Sequence, residues 1–172
     1  MRTAYGDNVD TIRYFYKKPG KIRMEFMEPH AGTVLVYDPA KKAVTLRPFA
    51  SERELNLTLG PGASLVKGPL GHRVDESDIG VMITRARLLM EHGQARVLGE
   101  ENIGGRRTTI LEVESGQGFS LAGTTRWLIS LDEKNWLPLR IMAYGESGNL
   151  IEDLRMDDLE LDVQMDDSLF RP

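Results

Sequence analysis

His72 is where chemistry could start. His72, Arg73, Asp75 and Glu76 lie together on a glycine-rich stretch, and an imidazole beside a carboxylate can move protons as a general acid or base. Hydrolysis would need more than that. No Gly-x-Ser-x-Gly elbow, no His-Glu-x-x-His helix and no phosphate-loop motif accompanies His72. Gly60-Pro61-Gly62 reads as a turn, because no Lys-Ser/Thr pair follows it in register. The chain has no cysteine, so thiolate nucleophiles, disulfides and Cys-based metal sites are excluded. His30, His72 and His92 are too scattered for a metal site. Asp157-Asp158 and Asp166-Asp167 lack the spacing and glycine turn of a calcium loop, and read as solvated acids. No catalytic residue, metal ligand or cofactor is assigned, and the chain reads as a non-enzyme. A hydrolase using His72 stays as an alternative.

Charge narrows the partners. The net charge is −4 over 172 residues, which argues against a general nucleic-acid binder. The charge is uneven. Arg2, Arg13, Lys17, Lys18, Lys21 and Arg23 crowd the start of the chain, and Asn149–Pro172 is acidic. No apolar run reaches the roughly 20 residues of a membrane span.

The elements that would position these groups are mostly strands. In Lys21–Met27 the apolar Ile22, Met24 and Phe26 alternate with Lys21, Arg23 and Glu25, the mark of a strand with one buried and one wet face. Val9–Tyr16 puts Ile12, Tyr14 and Tyr16 on one face and Phe15 on the other. Thr33–Tyr37 and Ala43–Arg47 flank Asp38-Pro39, good turn chemistry. Leu55, Leu57 and Leu59 alternate in the next strand. Gly60–Glu76 is a long loop. It is followed by one helix, expected over 76–91 and about 24 Å long, with Asp75 or Ser77 as cap and His92-Gly93 as stop. Its apolar stripe is Ile79, Met82, Ile83, Ala86, Leu89 and Met90. Ala95–Glu100, Arg106–Glu114, Thr124–Leu131, Leu137–Tyr144 and Leu150–Val163 then read as strands joined by turns. The expected fold class is mainly β (α+β): a curved antiparallel meander of about ten strands, which curls, splits or closes, with one long helix, in a single domain over 1–172.

The same residues carry a family likeness. Lys17-Lys18-Pro19-Gly20-Lys21-Ile22-Arg23-Met24 resembles the strand entry of the LolA/LolB-like lipoprotein-carrier superfamily. Met27-Glu28-Pro29 is similar to its following break, and Val34-Leu35-Val36-Tyr37-Asp38-Pro39 to its next hairpin. Leu137-Pro138-Leu139-Arg140-Ile141 with Gly148-Asn149-Leu150 resembles its late hairpin, and Asp167-Ser168-Leu169-Phe170-Arg171-Pro172 its terminal closure. Gly71-His72-Arg73-Val74 leading into Asp78-Ile79-Gly80 resembles a lipoprotein-sorting-like branch near those carriers. The resemblance implies a half-open barrel with helical plugs, binding of an acyl chain, lipid or lipoprotein, and a periplasmic location. It also implies an N-terminal helix or signal segment before residue 1.

Together these readings nominate an apolar cavity lined by Ile22, Met24, Phe26, Val36, Ile79, Met82, Ile83, Leu89, Met90, Trp127, Ile129 and Ile141. An ordinary packed core would show the same stripes. Lys17, Lys18, Lys21 and Arg23 are nominated for contact with lipid head groups or a membrane-associated protein partner. The alternative is that they pair with the acidic C-terminal segment. A sensor or scaffold of the same fold, acting through a protein partner, is the second functional reading.

Overall fold

The hairpin chemistry of the N-terminal strands is realised residue by residue. In the computed structural model, which describes residues 1–49, 55–68 and 71–171, β1 covers Arg2–Tyr5, β2 Asn8–Lys17, β3 Lys21–Glu28, β4 Val34–Asp38, β5 Ala43–Arg47 and β6 Leu57–Leu59. Pro19-Gly20 separates β2 from β3 and Pro29 follows β3, each proline after a cis peptide bond. Asp38 Oδ1 accepts from the Ala40 backbone N–H at 2.9 Å, closing the β4–β5 turn. The helix α1 spans Ile79–Glu91. It is followed by β7 (Gly93–Ile103), β8 (Arg106–Ser115), β9 (Thr124–Asp132), β10 (Pro138–Gly145) and β11 (Leu150–Arg155). Pro69 and Pro172, both part of the sequence patterns above, lie outside the described residues.

Among the described residues the strands form one antiparallel sheet of eleven that is not closed into a barrel, in the order β6-β5-β4-β3-β2-β1-β11-β10-β9-β8-β7. This is the mainly β, open architecture expected, with eleven strands in place of about ten. The chain divides into two compact units, Met1–Val9 with Ile83–Leu159, and Asp10–Met82 with Glu160–Pro172.

In the second unit the register sorts the side chains cleanly. Tyr14 stands opposite Met24, and Tyr16 opposite Ile22. Ile22 stands opposite Tyr37, and Met24 opposite Leu35. Leu35 faces Leu46 and Tyr37 faces Val44, which stands opposite Leu59. Because side chains alternate across a strand, these residues share one apolar face. Phe15, Arg23, Val34, Val36 and Thr45 occupy the other. In the first unit Trp127 stands opposite Ala143, and Ile129 opposite Ile141. Val113 and Leu111 extend those two rows on β8. The opposite face of the same strands is charged. Arg96 and Arg126 pair with the buried Glu112, and Arg140 grips Asp153 through two hydrogen bonds at 2.8 and 2.7 Å.

Two expected elements change. The helix starts three residues late. Asp78, not Asp75 or Ser77, caps it, because its Oδ1 accepts from the Val81 backbone N–H at 3.0 Å. Asp75 is instead held by Arg73, and the Ser77 hydroxyl turns back to the Arg73 carbonyl. Before the helix, Val74–Glu76 forms a single 3₁₀ turn. The last strand ends at Arg155, not Val163. Asp158 takes a left-handed φ of 53°, and Leu161 and Val163 are exposed at 45% and 48%, so their alternation does not mark a buried face. The helix stop is as expected. A Cβ on Gly93 would lie 1.9 Å from the Glu114 carbonyl oxygen, so only glycine fits where α1 turns into β7.

Candidate apolar face and its two covers

The twelve nominated cavity residues fall into the two units. Ile22, Met24, Phe26, Val36, Ile79 and Met82 lie in one, and Ile83, Leu89, Met90, Trp127, Ile129 and Ile141 in the other. Ile22 and Met24 are buried on the apolar face of β2–β6, with Phe26 half-buried beside them. Val36 is buried too, but register puts it opposite Arg23 on the reverse face. It is therefore not brought together with Ile22. In the other unit Trp127 and Ile129 are buried and Ile141 is half-buried, all on one face. Leu89 is fully buried. Ile83 and Met90 are exposed at 49% and 44%, so the expected stripe of α1 is only partly covered. A shallow hollow of about 200 Å³ is lined by Thr84, Arg87, Leu88 and Glu91, none of them a nominated cavity residue.

The long loop after β6 meets the apolar face of β2–β6 at Tyr14. Among its described residues Val66, in a 3₁₀ turn at Ser64–Val66, and Val74 are buried. The Tyr14 hydroxyl donates to the Ser77 carbonyl at 3.0 Å and ties this loop to the strands. Burial raises the Tyr14 phenol well above its ordinary range, and the charge of Asp78 adds to the effect. Burial also raises Tyr16 and Tyr37. The charge of Asp75 raises the Tyr37 phenol further and that of Arg73 lowers it. Sequence reasoning misses Val66 and Val74 because an irregular loop has no period to reveal which residues point inward.

The reverse face carries the basic cluster. Lys17 and Lys21 each place Nζ 3.0 Å from Asp167 Oδ1. Lys17 also donates to the Met165 carbonyl at 2.8 Å. Arg23 donates to the Leu169 and Arg171 carbonyls, both at 2.9 Å, and to Glu25. Phe170 is buried against Val34 and Val36, with Phe15, Met165 and Leu169 packed around them. The C-terminal segment thus straps this face, which is the pairing alternative for the cluster. Lys18 is exposed. Two lysines hold the Asp167 carboxyl below the usual range, and the Ser168 hydrogen bonds do the same for Asp166.

The histidines do separate things. His72 sits half-buried in the loop, its carbonyl accepting from the Gly68 backbone N–H at 2.8 Å. Its carboxylate neighbour Asp75 is engaged by Arg73, which keeps that carboxyl low. His92 stacks on Phe119 with ring centroids 3.8 Å apart, and His30 packs edge-on to Phe26. Among the described residues no group of three or more His, Asp or Glu could hold a metal. Among them, too, no helix is long and apolar enough to cross a membrane.

Comparison with known proteins adds a family and a fold. The family model described as the MucB/RseB N-terminal domain matches residues 30–172. No curated protein sequence matches. Among solved structures, an uncharacterized conserved protein from Thermus thermophilus is similar over 99% of this chain and 82% of its own, at 14% identity and a TM-score of 0.58. MucB in complex with MucA(peri) covers 99% of this chain at 17% identity and a TM-score of 0.52. The Pseudomonas aeruginosa MucA/MucB complex gives 99%, 17% identity and 0.50. This chain spans about half of each of those two, 52% and 53%. The fold is MucB-like.

Proposed function

The chain belongs to the MucB/RseB N-terminal domain family, and on that footing we propose that it is a non-enzymatic binding protein of the bacterial cell envelope, periplasmic and acting as one domain, that takes up an acyl chain of a lipid or lipoprotein. The observation that supports this is the apolar face of β2–β6, met by a loop at Tyr14. Ile22, Met24, Leu35, Val44 and Leu46 are buried there, and the loop contributes two valines and accepts one phenol hydrogen bond. Lifting such a cover costs the burial of a few methyl groups, and an acyl chain returns about 0.8 kcal/mol for each CH₂ it buries. Exchange of Val66 and Val74 for a lipid tail is then close to balanced, as a carrier requires.

Native mass spectrometry of freshly purified protein and titration with a fluorescent fatty acid test the reading. One acyl chain per protein is expected, with uptake faster in Tyr14→Phe and blocked by Met24→Asp. A folded protein with no co-purifying lipid and no fatty-acid uptake would overturn it. The second reading is a scaffold that works through a protein partner. MucB has been solved in complex with MucA, and the strapped reverse face of this chain is the feature that favours it.

A further inference from the structure

We propose that the reverse face of β2–β4 is a docking groove for a partner protein's acidic–aromatic peptide, and that Met165–Arg171 of this chain occupies it in cis. The inference rests on the scaffold reading, not on the acyl one. The resident segment displays what the groove accepts. A carboxylate sits between two lysines: Asp167 Oδ1 is 3.0 Å from both Lys17 and Lys21. Aromatic and aliphatic side chains follow, with Phe170 buried against Val34 and Val36 and Leu169 packed beside it. The remaining anchors read only backbone. Lys17 takes the Met165 carbonyl, and Arg23 takes those of Leu169 and Arg171. Any extended chain offers such carbonyls. Specificity therefore reduces to an apolar residue, a carboxylate two positions on, and an apolar–aromatic pair two and three positions after that.

Two further observations make the resident exchangeable. Its shape is local: Asp166 Oδ1 accepts from the Ser168 backbone N–H at 2.7 Å, closing the 3₁₀ turn at Asp167–Phe170. A short peptide of this sequence carries that turn with it. The connector Glu160–Gln164 is exposed and lies outside every strand, so release of the segment breaks no ladder. The charge is complementary as well, since Lys18 adds an exposed cation next to Lys17.

The probe is a fluorescent peptide of the sequence Met165–Arg171, with a scrambled peptide as control, added to the full chain. A strap that is mostly closed reduces apparent affinity by the closed fraction. Loosening it with Phe170→Ala and Asp167→Asn together is expected to tighten peptide binding by about tenfold or more. Lys17→Glu with Lys21→Glu in that background abolishes binding. On the unmodified chain, excess peptide raises hydrogen exchange at Leu169–Arg171, a readout that needs no variant. Equal binding of the scrambled peptide, or no binding and no exchange change, overturns the proposal. Binding of phosphatidylglycerol vesicles without peptide binding overturns it in favour of a head-group site. Fatty-acid uptake is measured in parallel, so loss of the acyl reading and loss of this one are told apart.

Discussion

The five strands β2–β6 carry a cover on each face, and the two covers are built on opposite principles. On the side of Ile22 and Met24 is a loop with buried Val66 and Val74, whose Ser77 carbonyl accepts from the Tyr14 hydroxyl. Over Val34 and Val36 lies a strap that combines Phe170 with a carboxylate between two lysines and three carbonyls on cations. The first holds by water exclusion, which is insensitive to salt and direction. The second holds by charge-assisted hydrogen bonds, which are directional and, at an exposed site, screened by salt. A cover of the first kind suits exchange with a lipid tail. A cover of the second kind suits exchange with another peptide.

The largest expected effect tests the apolar part of each cover. Phe170→Ala removes the one large side chain seated in the strap's small cluster and is expected to cost about 3 kcal/mol of stability. Val66→Ala removes two methyls from the loop and is expected to cost about 2 kcal/mol. Urea unfolding gives both from the shift in midpoint. If Val66→Ala costs more than Phe170→Ala, the loop is the more deeply built cover and the contrast reverses. Arg23→Leu sharpens it from the polar side. It removes the donor to two strap carbonyls at a side chain only 11% exposed, and a loss of about 2 kcal/mol is expected. The same change leaves fatty-acid uptake on the other face intact.

Much of this is legible in the sequence, and the exceptions share a cause. Strand alternation exposes Ile22, Met24 and Phe26 as one face, Trp127 with Ile129 as another, and the Asp38-Pro39 turn between β4 and β5. The family likeness in the hairpins leads to the right fold. Val36 falls in with Ile22 on sequence alone because consecutive apolar residues, Val34-Leu35-Val36-Tyr37, hide the period of two. Only the pairing of Val36 with Arg23 shows which side it takes. The helix stripe reads as wholly inward, yet amphipathic spacing cannot say that Leu89 is buried while Met90 is open. The strap leaves a trace as charge asymmetry between the chain's ends. The family likeness of Asp167–Pro172 marks Leu169 and Phe170, but nothing marks Met165, since a segment outside regular structure has no period.

A smaller effect isolates the loop's tether. Tyr14→Phe keeps the ring and removes the hydroxyl that donates to Ser77. A loss of about 1 kcal/mol is expected, the net worth of one neutral hydrogen bond. Its signature is kinetic more than thermodynamic. Hydrogen exchange in Gly71–Ser77 should rise, while exchange in Met165–Arg171 stays as it was. Equal increases in both segments would mean that the two covers open together and that the contrast between them is one of chemistry only.

Acid and alkali should separate the covers last and most gently. Asp166 and Asp167 are depressed in the fold by Ser168 and by Lys17 with Lys21. A depressed carboxyl stabilises the fold at pH values above its unfolded pKa of about 4, and that contribution drains away as pH falls through the lower folded value. Asp75 follows the same rule within the loop, but its partner Arg73 belongs to the loop too, so its protonation unties nothing from the strands. Tyr14, Tyr16 and Tyr37 are raised by burial. A raised phenol stabilises fully below its unfolded pKa of about 10, and the contribution is lost as pH climbs through the folded value. The strap should therefore loosen below about pH 4 and the loop above about pH 10. Exchange at Met165–Arg171 reports the first, and tyrosinate absorbance with fatty-acid release the second. High salt should mimic the acid effect on the strap and leave the loop unmoved. A strap indifferent to both acid and salt would mean that Phe170 alone holds it, and the groove's preference for a carboxylate would fall with that result.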